Sequence, residues 1–159
     1  MDGNPRPTGG GDGVAFLLSQ LGALAATRFG ERMAALGLTA AEAGVLRLLG
    51  REEGLSQRAL AARLGAAPSR VVLLVDALEA KGLVRRAVSP ADRRAHELHL
   101  TTAGRDVLAE IRTLATAHES EMVEPLEEDD RPQLAQLLRR LADGHHLAQD
   151  VHPGYRARG

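Results

Sequence analysis

The chain has 159 residues, 20 Lys and Arg against 21 Asp and Glu, and no cysteine. That length suits one domain with a sizeable core, and the lack of cysteine excludes a disulfide framework, a thiolate zinc site and a thiol redox sensor. No run reaches the length of a transmembrane helix, and MDGNPRPTGGGDG lacks the basic-then-apolar order of a signal peptide, so the expected address is the cytoplasm with no membrane partner.

Residues 1 to 12, rich in Gly, Pro and Asp, are expected to form a disordered tail, because they offer almost nothing to bury. From Val14 an apolar stripe at Leu17, Leu21, Leu24 and Ala25, with Leu18, Phe29 and Met33 at neighbouring helical offsets, predicts a long helix to about Leu36, ended by Gly37. Thr39-Ala-Ala-Glu42 has the form of a capping box, so a second helix starts there and stops at Gly50. Ser56 caps a third helix with Leu60, Ala61 and Leu64 inside, and Gly65 ends it in the left-handed conformation.

Pro68 belongs in the first turn of a fourth helix, 68–80. At about 100° per residue, Val71, Leu74, Val75 and Leu78 share its core face, and Ser69, Leu73, Asp76, Ala77 and Ala80 the opposite one. Two β-type runs follow, Val84 to Val88 and Ala95 to Leu100, joined by Ser-Pro-Ala-Asp-Arg-Arg, a turn carrying two cations. After two helices separated by a tight turn, such a hairpin reads as the wing of a winged helix-turn-helix, a fold used mainly to hold nucleic acid. Thr101 or Thr102 then caps a fifth helix to about Val123, before Pro125. The acidic run 127–130 complements the start of a sixth helix, striped by Leu134, Leu137, Leu138 and Leu141, with a loose tail over 150–159. The expected fold is therefore mainly α with a small β wing (α+β), arranged as one domain over 13–149 with the winged unit at about 39–100.

The net charge of −1 hides a division along the chain. Leu55 to Arg105 holds nine cations (Arg58, Arg63, Arg70, Lys81, Arg85, Arg86, Arg93, Arg94, Arg105) against Asp76, Glu79, Asp92 and Glu97, whereas Asp106 to Asp130 has nine acids and one Arg. The basic part sits where phosphate contacts are needed, and the acidic part must face away from DNA. No metal site is expected: His96 and His99, three apart on a strand, point to opposite faces. No HExxH, P-loop, GxSxG or GxGxxG string is present, so neither an enzyme nor a cofactor is expected.

The strings GLTAAEAGVLRLL, LAARLG, VDALEAKGLVRR, DRRAHELHLTTAGR and LLRRLAD, in this order over about residues 14–148, resemble the MarR family of transcriptional regulators. The resemblance implies a homodimer held by helices at about 13–36 and 102–149, double-stranded DNA as partner, and an unknown small-molecule effector that commonly releases a repressor. It places the fourth helix in the major groove, with Ser69, Arg70 and Leu73 toward the bases, and the wing, about 85–98, in the minor groove. By position, Arg94 is the minor-groove residue beside Arg93 and Arg86, and Asp92 is expected to orient Arg94 or Arg86 by a salt bridge. An effector pocket would draw on Arg28, Thr113 or His118. The alternative is a dimeric ligand- or protein-binding module that lost specific DNA binding, with Val72 and Leu73 buried. Two recognition helices in a dimer would stand roughly 34–36 Å apart, which requires a pseudo-palindromic operator.

Overall fold

A computed structural model describes residues 13–147; the tails expected over 1–12 and 150–159, and the last two residues assigned to the sixth helix, lie outside it. The element order is α1 (Val14–Ala35), α2 (Ala40–Leu49), α3 (Gln57–Leu64), α4 (Pro68–Ala80), β1 (Val84–Val88), β2 (His96–Leu100), α5 (Thr102–Val123) and α6 (Asp130–Gly144). α2, α3, α4 and the hairpin form a winged helix-turn-helix. Its core joins Met33 of α1, Leu46 and Leu49 of α2, Leu60 of α3, Val71, Val75 and Leu78 of α4, Leu98 of β2 and Ile111 of α5.

Local chemistry sets the helix boundaries. Thr39 Oγ1 accepts from the Glu42 amide at 3.1 Å while Glu42 Oε2 accepts from the Thr39 amide at 2.8 Å, completing the capping box. Ser56 Oγ accepts from the Ala59 amide, and Thr101 Oγ1 from the Gly104 amide. Gly65 takes φ +59°, which lets α3 end within one residue and α4 begin at Pro68.

The buried Glu42 carboxylate also accepts from Lys81 Nζ, which lies 2.8 Å from each of its oxygens and 2.8 Å from the Gly37 carbonyl oxygen. The end of α4 is thereby tied to the start of α2. Burial raises the carboxyl pKa, but the Lys81 and Thr39 contacts together outweigh it and hold the group below its ordinary value. A carboxylate depressed by folding adds stability that is present above its unfolded pKa and lost as pH falls through the folded one. Glu42→Gln should therefore lower stability at neutral pH by about 1–2 kcal/mol and flatten the decline as the pH falls below the ordinary carboxylate range. Urea unfolding at fixed protomer concentration measures both; equal pH profiles for the two proteins would contradict this assignment.

The wing is an antiparallel pair in register Val84↔Leu100 to Val88↔His96. The second strand begins one residue later than the expected Ala95, whose carbonyl accepts from the Ser89 amide to close the turn. A feature absent from the expectation is a bridge at Leu55: Leu98 donates to its carbonyl at 2.9 Å, and the Gly54 amide donates to the Leu98 carbonyl at 3.0 Å. The hairpin is thus held by the segment before α3 as well as by its own ladder.

α5 starts hard against the wing. Thr101 donates from its amide to the Leu83 carbonyl and from its hydroxyl to the Gly82 carbonyl, and a Cβ placed on Gly104 would lie 2.0 Å from the Leu83 oxygen. Backbone cannot yield there as a side chain can. Gly104→Ala should cost about 2–3 kcal/mol and lower Tm by roughly 5–12 °C in a thermal melt, and an unchanged Tm would show that the α5–wing junction is looser than its geometry.

The first half of α1 and all of α6 stand outside this core. α6 has no buried residue, and Val14, Leu17, Leu18 and Leu21 of α1 face Leu134, Leu137, Leu138 and Leu141 across an apolar cleft of about 580 Å³. Leu21 is 53% exposed and Leu137 54%.

Candidate nucleic-acid interface

α4 presents one face to the core and another to solvent. Val71, Val75 and Leu78 are buried; Leu74, assigned to the core from its spacing, is only half-buried at its edge. Ser69 and Arg70 are exposed at the head of the helix, Leu73 is 70% exposed and Val72 39%. The alternative in which Val72 and Leu73 are buried does not hold, because the helix turns both away from the packed side. Ala67 supplies no side-chain cap; Pro68 has no amide hydrogen, and the Arg70 and Val71 amides donate to the Ala67 carbonyl at 3.0 and 3.2 Å.

The hairpin tip is braced from below. Buried Ser89 donates to Glu97 Oε1 at 2.7 Å and accepts from the Ala91 amide at 3.3 Å, while Glu97 Oε2 lies 3.3 Å from His99 Nε2. Arg93 and Arg94 project from this tip, both exposed. The expected salt bridge from Asp92 to Arg94 or Arg86 is replaced by a different contact. Asp92 Oδ1 accepts from the Arg94 backbone amide at 2.9 Å, the two-residue reach that a short carboxylate favours, and so shapes the turn under Arg94 without engaging its guanidinium.

Arg86 lies back against α4, ion-paired with Asp76 and Glu79, and its Nε donates to Gln57 Oε1 of α3 at 2.8 Å. Partial burial disfavours its charge, but the two carboxylates outweigh that and raise its pKa. The nine cations of the basic segment therefore fall into two groups among the described residues. Arg63 pairs with Glu52, Lys81 with Glu42, Arg86 with Asp76 and Glu79, and Arg105 with Glu53; Arg58, Arg70, Arg85, Arg93 and Arg94 are exposed and form no ion pair with another described residue. The open group includes the two ends of the expected interface, the head of α4 and the wing tip.

A second, polar cleft of about 570 Å³ opens between α1 and α5, lined by Arg28, Glu31, Arg32, Ala35 and Glu121. Arg32 pairs with Glu121 and approaches His118 Nδ1 at 3.3 Å, and the His118 ring packs on Phe29 with centroids 5.7 Å apart. A guanidinium can only donate, so Nδ1 is the unprotonated nitrogen. Burial, then the charge of Arg32, lowers the His118 pKa accordingly. Thr113 is not part of this cluster: it is exposed, its hydroxyl donates to Ala109 of its own helix at 3.3 Å, and five residues place it about 140° around α5 from His118. Arg32 and Glu121 were not singled out from sequence, although Arg28 and Arg32, four apart on α1, share a face.

A helix-turn-helix with a basic, outward wing defines a DNA-binding regulator rather than an enzyme. Comparison with known proteins is specific. A model of the MarR family matches residues 36–95. The HTH-type transcriptional repressor MdtR of Bacillus subtilis is 32% identical over 112 residues, which cover 70% of this chain and 72% of MdtR. A Thauera aromatica protein named as the candidate transcriptional regulator of the hcr operon is 37% identical over 105 residues, and the match spans 63% of its length. The transcriptional repressor CouR bound to a 23-mer DNA duplex superposes with TM-score 0.72 at 37% identity, covering 81% of this chain and 92% of that one. CouR from Rhodococcus jostii RHA1 bound to p-coumaroyl-CoA gives 0.68 at 32%, covering 82% and 92%. The chain belongs to the MarR family of winged helix-turn-helix transcriptional regulators.

Proposed function

We propose that the protein is a homodimeric repressor that reads a pseudo-palindromic operator with α4 in the major groove and the wing in the minor groove, and that a small anionic effector releases it. The observation that carries this reading is the pairing of an exposed α4 face, Ser69, Arg70 and Leu73, with a braced wing whose Arg93 and Arg94 have no ion-pair partner among the described residues. Arg70 would supply direct hydrogen bonding, Leu73 apolar contact with thymine methyls, and Arg94 a planar cation for a narrow minor groove. The effector would enter the α1–α5 cleft, where Arg28, exposed and without an ion-pair partner among the described residues, can meet negative charge. The R. jostii relative bound to p-coumaroyl-CoA makes a coenzyme A thioester the class to try first.

The test is a fluorescence-anisotropy titration of the purified protein against DNA from its own upstream region, over a range of salt, with unrelated DNA as competitor. Preference for the upstream fragment, a steep fall in affinity with salt, and release by p-coumaroyl-CoA or a related thioester are expected. Equal affinity for both DNAs would overturn the operator reading. Retention of DNA at saturating thioester would overturn that effector class.

A further inference from the structure

The resemblance places Arg86 beside Arg93 and Arg94 among the DNA-contacting residues of the wing, but its geometry gives it another task. Every nitrogen of its guanidinium is engaged within the chain: Nε with Gln57 of α3, Nη1 with Glu79 and Nη2 with Asp76 of α4, while its backbone amide donates to Glu79 Oε1 at 3.3 Å. The side chain is 22% exposed, less than either carboxylate it holds. Three of its five N–H donors are taken by these contacts, and its charge is already matched by two carboxylates.

The carboxylates explain why such a residue is needed. Asp76 lies one turn beyond Leu73 on the outward face of α4, and Glu79 follows at the next turn. Both are exposed on the helix that is to approach a polyanion, with Arg70 the only cation on α4 itself. Left alone, two negative charges per protomer would repel the phosphates flanking the groove, a penalty of the kind that like charges impose at interfaces. Arg86 reaches them from β1, and the same bonds join α3, α4 and the wing.

We infer that Arg86 is a positioning residue, the internal counter-ion of Asp76 and Glu79, which makes the recognition helix electrically acceptable to DNA and fixes the wing beside it without itself contacting phosphate. This rests on the DNA-binding reading above. The test compares the full chain with R86Q and with the triple variant R86Q/D76N/E79Q on the same upstream DNA, thermal melts confirming folding. R86Q should raise Kd at least about tenfold, and the triple variant should return to within about fivefold of wild type, because the uncompensated carboxylates are gone. If R86Q fails to fold, the triple variant alone decides, by the same criterion. A triple variant still weaker than wild type by tenfold or more, or an R86Q protein that binds like wild type, overturns the inference. Wild-type protein that shows no salt-sensitive DNA binding overturns instead the reading on which it rests.

Discussion

Arg94→Ala is expected to weaken operator binding by about 2–4 kcal/mol per dimer, roughly 30- to 1,000-fold in Kd, while leaving the melting curve unchanged. The two halves of this expectation come from the same observation. Arg94 is exposed at the hairpin tip with no ion-pair partner among the described residues, so its removal breaks nothing inside the fold, and surface changes of that kind cost no more than about 0.5 kcal/mol. In a dimer the contact is lost twice. Each lost phosphate-directed cation also reduces the slope of log Kd against log salt by about one, so the variant should show a shallower slope as well as a weaker intercept. Arg94→Lys separates charge from shape. It keeps the cation but not the planar fork, and should recover the salt slope more fully than the affinity. Asp92→Ala should resemble a mild form of Arg94→Ala, since the Asp92 carboxylate sets the backbone under Arg94 and touches no guanidinium. Binding by Arg94→Ala at wild-type affinity and slope would remove the wing from the interface.

Most of the fold was legible because its boundaries are written in contacts between residues no more than five apart. Thr39 with Glu42, Ser56 with Ala59, Thr101 with Gly104 and the left-handed Gly65 are decided by local chemistry that a single sequence displays. The bridge between Leu55 and Leu98 was not legible, since one paired residue has no periodicity to recognise. The counter-ions of Arg86 were hidden for a related reason: they lie seven and ten residues back on α4, and the pairing depends on how a strand packs across a helix. The hydrophobic stripe of α4 located Val71, Val75 and Leu78 correctly yet overstated Leu74, because a 3.6-residue period defines the centre of a face better than its edge. The α1–α5 cleft was only half visible. Arg28 and His118 come to its neighbourhood, but Thr113 points elsewhere on α5, and the ion pair of Arg32 with Glu121 spans 89 residues.

The stripes of α1 and α6 were plain in the sequence, but what covers them is not supplied by the described part of the chain, and this leads to the other large expected effect. Leu137→Asp should convert the protein to monomers at micromolar concentration in analytical ultracentrifugation and raise the operator Kd by at least about a hundredfold. Eight apolar side chains around the α1–α6 cleft stay substantially exposed among the described residues, and completing the burial of each is worth about 1 kcal/mol, an amount that a second copy packed across a two-fold axis would collect at low concentration. A carboxylate there enters the interface twice, once from each protomer, and must be desolvated opposite leucines. The winged unit should survive, because α6 contributes no buried residue to its core. Circular dichroism of the variant should therefore keep a cooperative melt, now independent of protein concentration. Loss of the dimer then acts on DNA binding through geometry: a monomer occupies one half-site and forfeits the second recognition helix one turn away. A Leu137→Asp protein that remains dimeric would place the two-fold contact elsewhere, whereas a monomer with unchanged operator affinity would sever dimerisation from DNA reading.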